Sequence, residues 1–522
     1  MLRNRSFRSE SWLTTAFASL GSSAAVYFGS VNEADNDLWM HLFVGRLVWE
    51  SGTIPRSDSF SYTAACHPWV NHEWLAQWAA YGLFHQAGGQ ALWLAKLLMV
   101  ATMVAIVWRS IVGALRSNDG QRDPDGPSVE EGWGAAPSWV WGPVLVLVIA
   151  ASARGLSFRP QLWTYVLLPL LLWGLHRWSL GHRVWGGLLP VLFLLWVNLH
   201  GGFVLGLGIL GLFACWGVFS GAREVVGRSL VLAASGLATL ANPYGFSLYP
   251  YLIDELARWH PISEWQAVTF GDRAHLPFFA LLGFFAATLA WARNFRCNGW
   301  QIVLALGTAY FAFLHQRHTP VFALCVALPL AQQWRAAGCW LAMRGVGLRP
   351  PSTGLLAVGV ALLAATQLAF VVRRIAFESG SRIVFAADEY PIRLVAALRD
   401  VGATGNVAVP LDWGGYLLWH LAPRIRPSLD GRFATVFPPQ VVEDNFAFYS
   451  GGRGWRRLLE AYPTEAVLLA SGAIHPLRQD GDWVELASDS VASLWVRRGL
   501  EPRFALGALP AERTRERWAL FP

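Results

Sequence analysis

The sequence predicts an all-α polytopic membrane domain of about eleven transmembrane helices, followed by a small soluble α/β domain. Three observations predict it. Hydrophobic residues make up 54% of the 522 and charged residues only 14%, with a mean hydropathy of +0.36, where a soluble domain carries about a quarter charged residues. Apolar runs approaching the roughly 20 residues needed for one span recur through the first 373 positions. From about residue 380 they give way to short alternating and helical segments.

The net charge of +7 reads as topology. Arginines sit in short loops between apolar runs, where the positive-inside rule needs them, and not along one helix face or arm as in a nucleic-acid binder. The 29 tryptophans suit interfacial belts. Cys66, Cys215, Cys297, Cys325 and Cys339 form no C-x-x-C pair and suit neither a zinc site nor a disulfide framework. The basic start followed by an apolar stretch resembles a signal peptide, but the stretch is long and lacks a cleavage signature, so an uncleaved first span is expected.

The apolar runs fall near 11–31, 91–113, 137–153, 161–175, 184–199, 203–220, 229–241, 276–292, 299–314, 321–334 and 353–372. Arginines alternate with them. Loops expected to face the cytoplasm carry Arg3, Arg5 and Arg8, then Arg109, Arg116 and Arg122. Arg177 and Arg183, Arg223 and Arg228, Arg293 and Arg296, and Arg335, Arg344 and Arg349 continue the series. This parity predicts a cytoplasmic N-terminus and a non-cytoplasmic tail after residue 373. The division expected is a membrane domain over 1–373, with a first outer loop at 32–75, and a periplasmic α/β domain over 374–522. A bacterial inner membrane is assumed, from the near-total replacement of lysine by arginine (Lys96 is the single lysine).

On this map the chemically suggestive strings fall on the outer side: EADNDLWMH (33–41), RGLSFRPQ (154–161), NLHGG (198–202), NPYG with PISEW (242–265) and HQRHTP (315–320). The cytoplasmic loops hold arginines and the acidic stretch 117–132, which reads as a solvated loop. In the first outer loop an apolar stretch of helical spacing follows Asp37, which suits an N-cap. An amphipathic helix along the membrane surface is expected, with Asp35 and Asp37 at its start. A turn-rich segment and a second amphipathic helix carrying His72 and Glu73 come next.

An acidic pair beyond the first span suits glycosyl transfer. A carboxylate there deprotonates the attacking hydroxyl while arginines hold the phosphate of a lipid-linked donor. The outward arginines are Arg154, Arg159 and Arg317; His41, His72, His200, His315 and His318 have the chemistry to meet phosphate or sugar hydroxyls. Glu264 beside Trp265 suits a sugar-stacking platform. The paired acids also have the chemistry to bind a divalent metal, Mg or Mn, and that requirement stays open.

The layout resembles the GT-C superfamily of integral-membrane glycosyltransferases. More closely, DLWMHLFVGRLVWESGTIPRSDSFSYT, WVNHEWLA, FRPQLW, NLHGGF, NPYG, RHTPVFAL, DWGGYLLW and LDGR resemble a group of bacterial membrane proteins assigned to GT-C by layout. The resemblance implies a polyprenyl-phosphate or polyprenyl-diphosphate sugar donor, transfer of hexose or pentose with inversion, and Asp35 or Asp37 as the base. The acceptor would be a glycan, lipid or protein of the cell envelope.

Plainer roles stand beside these. The acids also suit a helix cap and solvent contact, the outward arginines interfacial snorkelling, and His200 a glycine turn. NPYG reads as a turn. Asp412 reads as an N-cap for GGYLLWHL, and Asp430-Gly431-Arg432 as a turn. Two other functions compete: a lipid-linked glycan transporter, which needs midspan charges and repeats, and a non-catalytic envelope assembly protein.

Overall fold

In the computed structural model the chain is described over residues 2–117, 138–219, 224–258, 262–291, 299–343, 353–378, 380–507, 509 and 518–521. The acidic stretch 118–132 and Arg122, Arg223, Arg293, Arg296, Arg344 and Arg349 lie outside the described residues.

Among the described residues thirteen α-helices come first: α1 (Leu2–Gly29), α2 (Asp37–Ser51), α3 (Trp74–Ser117), α4 (Ser138–Ser152), α5 (Gln161–Ser179), α6 (Val184–Leu199) and α7 (Phe203–Phe219). They continue with α8 (Val225–Ala238), α9 (Leu248–Ala257), α10 (Leu276–Trp291), α11 (Gly299–Leu314), α12 (Thr319–Met343) and α13 (Thr353–Arg373). Over the described residues, each of the eleven apolar runs is mainly helical. Among the described residues three helices are long and apolar enough to cross a membrane, Trp74–Leu115, Arg273–Ala290 and Gly354–Ala376. Five shorter apolar helices of 10–17 residues accompany them, so helix length alone does not establish eleven crossings. α3 is two helices joined at Ala87–Gly88, where Gly88 takes φ +60° and Ala87 leaves the helical region.

The remaining elements are β1 (Val384–Ala386), α14 (Ile392–Asp400), β2 (Gly405–Ala408), α15 (Leu411–Leu421), β3 (Ile425–Pro427), α16 (Pro439–Ser450) and α17 (Arg457–Ala461). β4 (Ala466–Ala470), β5 (Trp483–Ser488), β6 (Ala492–Arg497) and β7 (Trp518–Leu520) complete them. Five strands form a sheet of order β3-β2-β4-β6-β5. β2 runs parallel to β3 and β4, and β6 runs antiparallel to β4 and β5. The apolar NVAVPL and EAVLLA segments supply the parallel centre, whose strands are buried almost throughout.

α2 departs from the amphipathic surface helix expected of it. Leu38 through Gly45 are buried without a break, because α3 covers one side and α15 another; a helix apolar on all sides belongs in a core. Trp39 has no solvent exposure, stacks on Phe521 at 4.1 Å between ring centres and meets Phe385 and Tyr416 edge-on. The first outer loop and the C-terminal elements therefore share one hydrophobic cluster. α2 approaches α3 closely because residue 45 is glycine: a Cβ there would lie 2.2 Å from the Gln77 carbonyl oxygen.

Candidate functional site

The start of α2 places two carboxylates side by side. Asp35 Oδ1 accepts the backbone N–H of Asp37 at 3.1 Å; Asn36 holds the N-cap position without a side-chain capping bond, and Asp37 is the first residue of the helix. The cap expected at Asp37 is thus one residue too late. His41 follows Asp37 by four residues and lies on the same face. Across from it, Glu73 immediately precedes α3 and Gln77 lies in its first turn, and Gln77 Nε2 donates to His41 Nδ1 at 3.1 Å.

Arg159 enters from the turn before α5. Its Nη2 contacts Asp35 Oδ1 and lies 3.5 Å from Asp37 Oδ2, while Nη1 is 2.5 Å from Glu264 Oε1. One guanidinium thus gathers carboxylates from two loops far apart in the chain. These neighbours hold Arg159 in its charged form against the cost of burial.

Beside it, three imidazoles surround Glu73. His200 Nε2 is 3.6 Å and His72 Nε2 3.9 Å from Oε1, and His41 Nδ1 is 4.0 Å from Oε2. Burial and the nearby charge of Arg159 push His41 down to about 3, and burial pushes His72 down to about 4. His200 falls well below its usual range for the same reason. All three rings are therefore neutral at physiological pH. Burial, reinforced by Asp37, raises Glu73 to about 8. His200 Nδ1 accepts from the Gly202 N–H at 2.9 Å, which puts the ring proton on Nε2, facing Glu73. NLHGG forms the glycine turn: a Cβ on Gly202 would lie 2.2 Å from Thr164 Oγ1.

Burial raises Asp37 to about 7, with Asp35, Glu264 and Asp412 adding to the rise and Arg159 opposing it. Its side chain keeps 36% exposure, so the carboxyl is reachable while poised near neutrality.

A further group gathers around Trp265, next to Glu264. Arg317 lies over the Trp265 ring at 4.7 Å, and His315 Nδ1 contacts the Trp265 carbonyl at 2.7 Å. His318 stands 6.4 Å from the same ring and is pushed down to about 4 by burial and Arg317. No ion pair engages Arg317 among the described residues, so its charge is available. Arg154 differs. It donates to Asp272 at 2.7 Å and to His275 at 2.8 Å, which removes it from the cluster and accounts for its charge. NPYG is the expected turn, closed by Asn242.

The C-terminal elements reach the same place. A Cβ on Gly431 would lie 2.8 Å from Asp37 Oδ1, and Tyr390 donates to Asn36 Oδ1 at 2.5 Å. Asp412 sits in the first turn of α15 without capping it; it is exposed and close enough to raise Asp37. Asp430-Gly431-Arg432 is more than a turn. Arg432 forms a buried pair with Asp430 at 2.7 Å and another with Asp58 of the first outer loop. Sequence reading passed over Asp58, Gln77, Asp272 and His275. A buried ion triad leaves no local pattern, so only the strings SDSF and LDGR hinted at it.

The arrangement does not fit a divalent ion. No group of three or more His, Cys, Asp or Glu converges at metal-ligand geometry among the described residues. The guanidinium of Arg159 lies where the three carboxylates meet. Around Glu73, the His200 nitrogen facing inward carries the proton, and the His41 lone pair is taken by Gln77.

No family model and no curated protein matches the chain. Its fold is shared with solved membrane proteins. The oligosaccharyltransferase AglB from Archaeoglobus fulgidus, in complex with an inhibitory peptide and a dolichol-phosphate, superposes with a TM-score of 0.55 at 12% identity, over 88% of this chain and 69% of that one. Its apo form gives 0.55 at 11% identity, over 88% of this chain and 69% of that one. ArnT from Cupriavidus metallidurans, bound to undecaprenyl phosphate, gives 0.47 at 13% identity, over 92% and 97%. The fold shared with AglB agrees with the layout expected from the outer loops.

Proposed function

We propose that the protein is a membrane glycosyltransferase that moves a sugar from a polyprenyl-phosphate-linked donor to an acceptor hydroxyl on the outer face of the bacterial inner membrane. One observation carries the reading: Asp37, half-buried and raised to about 7, stands beside Arg159, with Arg317, in no ion pair among the described residues, over the ring of Trp265 next to Glu264. A fold shared with an oligosaccharyltransferase in complex with a dolichol-phosphate supports a lipid-phosphate donor.

The Asp37 carboxylate takes the acceptor proton as the hydroxyl oxygen bonds to the anomeric carbon. The bond from that carbon to the phosphate oxygen breaks on the opposite side, which inverts the centre. The electron pair leaves with the lipid phosphate, and Arg317, backed by Trp265, His315 and His318, meets the charge. Asp35 and Glu264 hold Arg159 in place. His41, His72, His200 and Glu73, neutral donors and acceptors, face the sugar hydroxyls. The C-terminal elements, read as a periplasmic domain after residue 373, close the acceptor side through Asp412 and Gly431.

The test is lipid-linked sugar turnover in membranes carrying wild type, Asp35→Asn and Asp37→Asn at matched expression. Loss of turnover in Asp37→Asn with the fold intact supports the reading; unchanged turnover in both variants sinks it.

A further inference from the structure

Three carboxylates from separate segments meet at Arg159, a charge pattern that a divalent ion also satisfies. Mg²⁺, Mn²⁺ and Ca²⁺ draw carboxylate oxygens to a single point at about 2.0–2.6 Å. A guanidinium instead spreads its donors over a planar fork, so its carboxylates stay on separate edges. The geometry is the second kind: Asp35 and Asp37 share Nη2, and Glu264 takes Nη1 on the other edge. The Arg159 side chain is only 20% exposed and Asp35 18%, and the guanidinium already occupies the point between the carboxylates, so an ion bridging all three must displace it.

We infer that Arg159 is the resident cation of this site, and that Asp35, Asp37 and Glu264 bind a divalent ion only when the guanidinium is removed. The inference rests on the proposed reading only for its bearing on catalysis; the binding claim stands on the ion cluster alone. Arg159 neutralises the carboxylates and holds Asp35, whose Oδ1 accepts the backbone N–H of Asp37 at the start of α2. It is a positioning residue. Because a guanidinium stays protonated across the working range, this cation is never lost to a chelator, whereas a bound metal would be.

The groups facing Arg159 are Asp35 and Asp37 from the start of α2, Glu264 from the loop before α10, and His41 one turn along α2. Arg317 lies over the ring of Trp265, the residue after Glu264. Glu73 is also within electrostatic reach.

The experiment is titration of the purified full-length protein with Mn²⁺ alone, followed by paramagnetic resonance and by thermal unfolding, with no substrate present. Wild type is expected to bind no stoichiometric Mn²⁺ below millimolar concentration, and EDTA is expected to leave its Tm unchanged. Arg159→Ala is expected to gain one Mn²⁺ at least tenfold more tightly than wild type, and Arg159→Ala/Glu264→Gln to lose that gain. One tightly bound Mn²⁺ in wild type that Asp35→Asn removes would overturn the inference. So would a folded Arg159→Ala that binds Mn²⁺ no better than wild type. If Arg159→Ala does not fold, Arg159→Gln keeps hydrogen-bonding capacity without charge and is read by the same criterion. Because no step reads sugar transfer, failure of this inference is separate from failure of the glycosyltransferase reading.

Discussion

Arg432 reaches across 374 positions to donate to Asp58, with both side chains at or below 1% exposure. The pair joins the first outer loop to the elements that carry Gly431 and Asp412. Asp430 completes the triad, and Arg432 also lies over the Trp69 ring at 4.8 Å.

Breaking that pair leaves a buried charge without its partner, which costs about 3–5 kcal/mol. Asp58→Ala and Arg432→Ala are therefore expected to unfold at markedly lower temperature in detergent. They are also expected to lose turnover, because the wall behind Asp37 loosens. A Tm within a degree or two of wild type for both variants would show that the triad does not hold the loop.

Asp37→Asn keeps the size of the side chain and removes the base. Positioned general bases contribute about 10²–10⁴ in rate, and a loss of that order in turnover is expected, with lipid-phosphate binding retained. A loss confined to binding would place Asp37 in recognition instead.

The pH profile follows from the raised Asp37. A base must be unprotonated to act, so turnover is expected to rise with pH through about 7 and to fall away below it. The exposed Asp412 adds to the rise; Asp412→Asn removes one negative neighbour, makes ionisation easier and is expected to move the limb to lower pH. A limb that stays put or moves upward in this variant contradicts the electrostatic account.

Arg317 and Arg154 separate by partner. A charged hydrogen bond to phosphate contributes about 1.5–3 kcal/mol, so Arg317→Ala is expected to weaken binding of the lipid donor by roughly tenfold to a hundredfold. Arg154 is already engaged with Asp272 and His275, and Arg154→Ala is expected to leave donor KM near wild type. Equal effects of the two substitutions would remove the basis for assigning Arg317 to the phosphate.

Glycine at 202 is expected to be required for the placement of His200. Gly202→Ala puts a methyl 2.2 Å from Thr164 Oγ1, so the turn must shift. Turnover should fall in Gly202→Ala and stay near wild type in Gly187→Ala, where the added carbon meets open space.

The sequence by itself determined the helical runs, the strand-like segments after residue 380 and most of the polar strings that meet at the site. These are local properties: an apolar run forms a helix wherever it lies, and a polar string keeps its chemistry. His41, His72, Glu73, Arg159, His200, Glu264, His315, Arg317 and His318 were legible because each interrupts an apolar background near a helix end. Their pairing was not. Arg154 and Arg159 look alike in sequence, yet Asp272 claims one and three carboxylates claim the other, because ion pairing depends on distances between segments 100 or more residues apart. Asp37 was legible as an acid, but its rise toward neutrality comes from burial and neighbours that the fold supplies. α2 shows the same limit. Its spacing suited a surface helix, and only the docking of α3 and α15 against it made Leu38 through Gly45 a core. The apolar pattern specifies which residues leave water; which partner covers them is settled when distant segments pack.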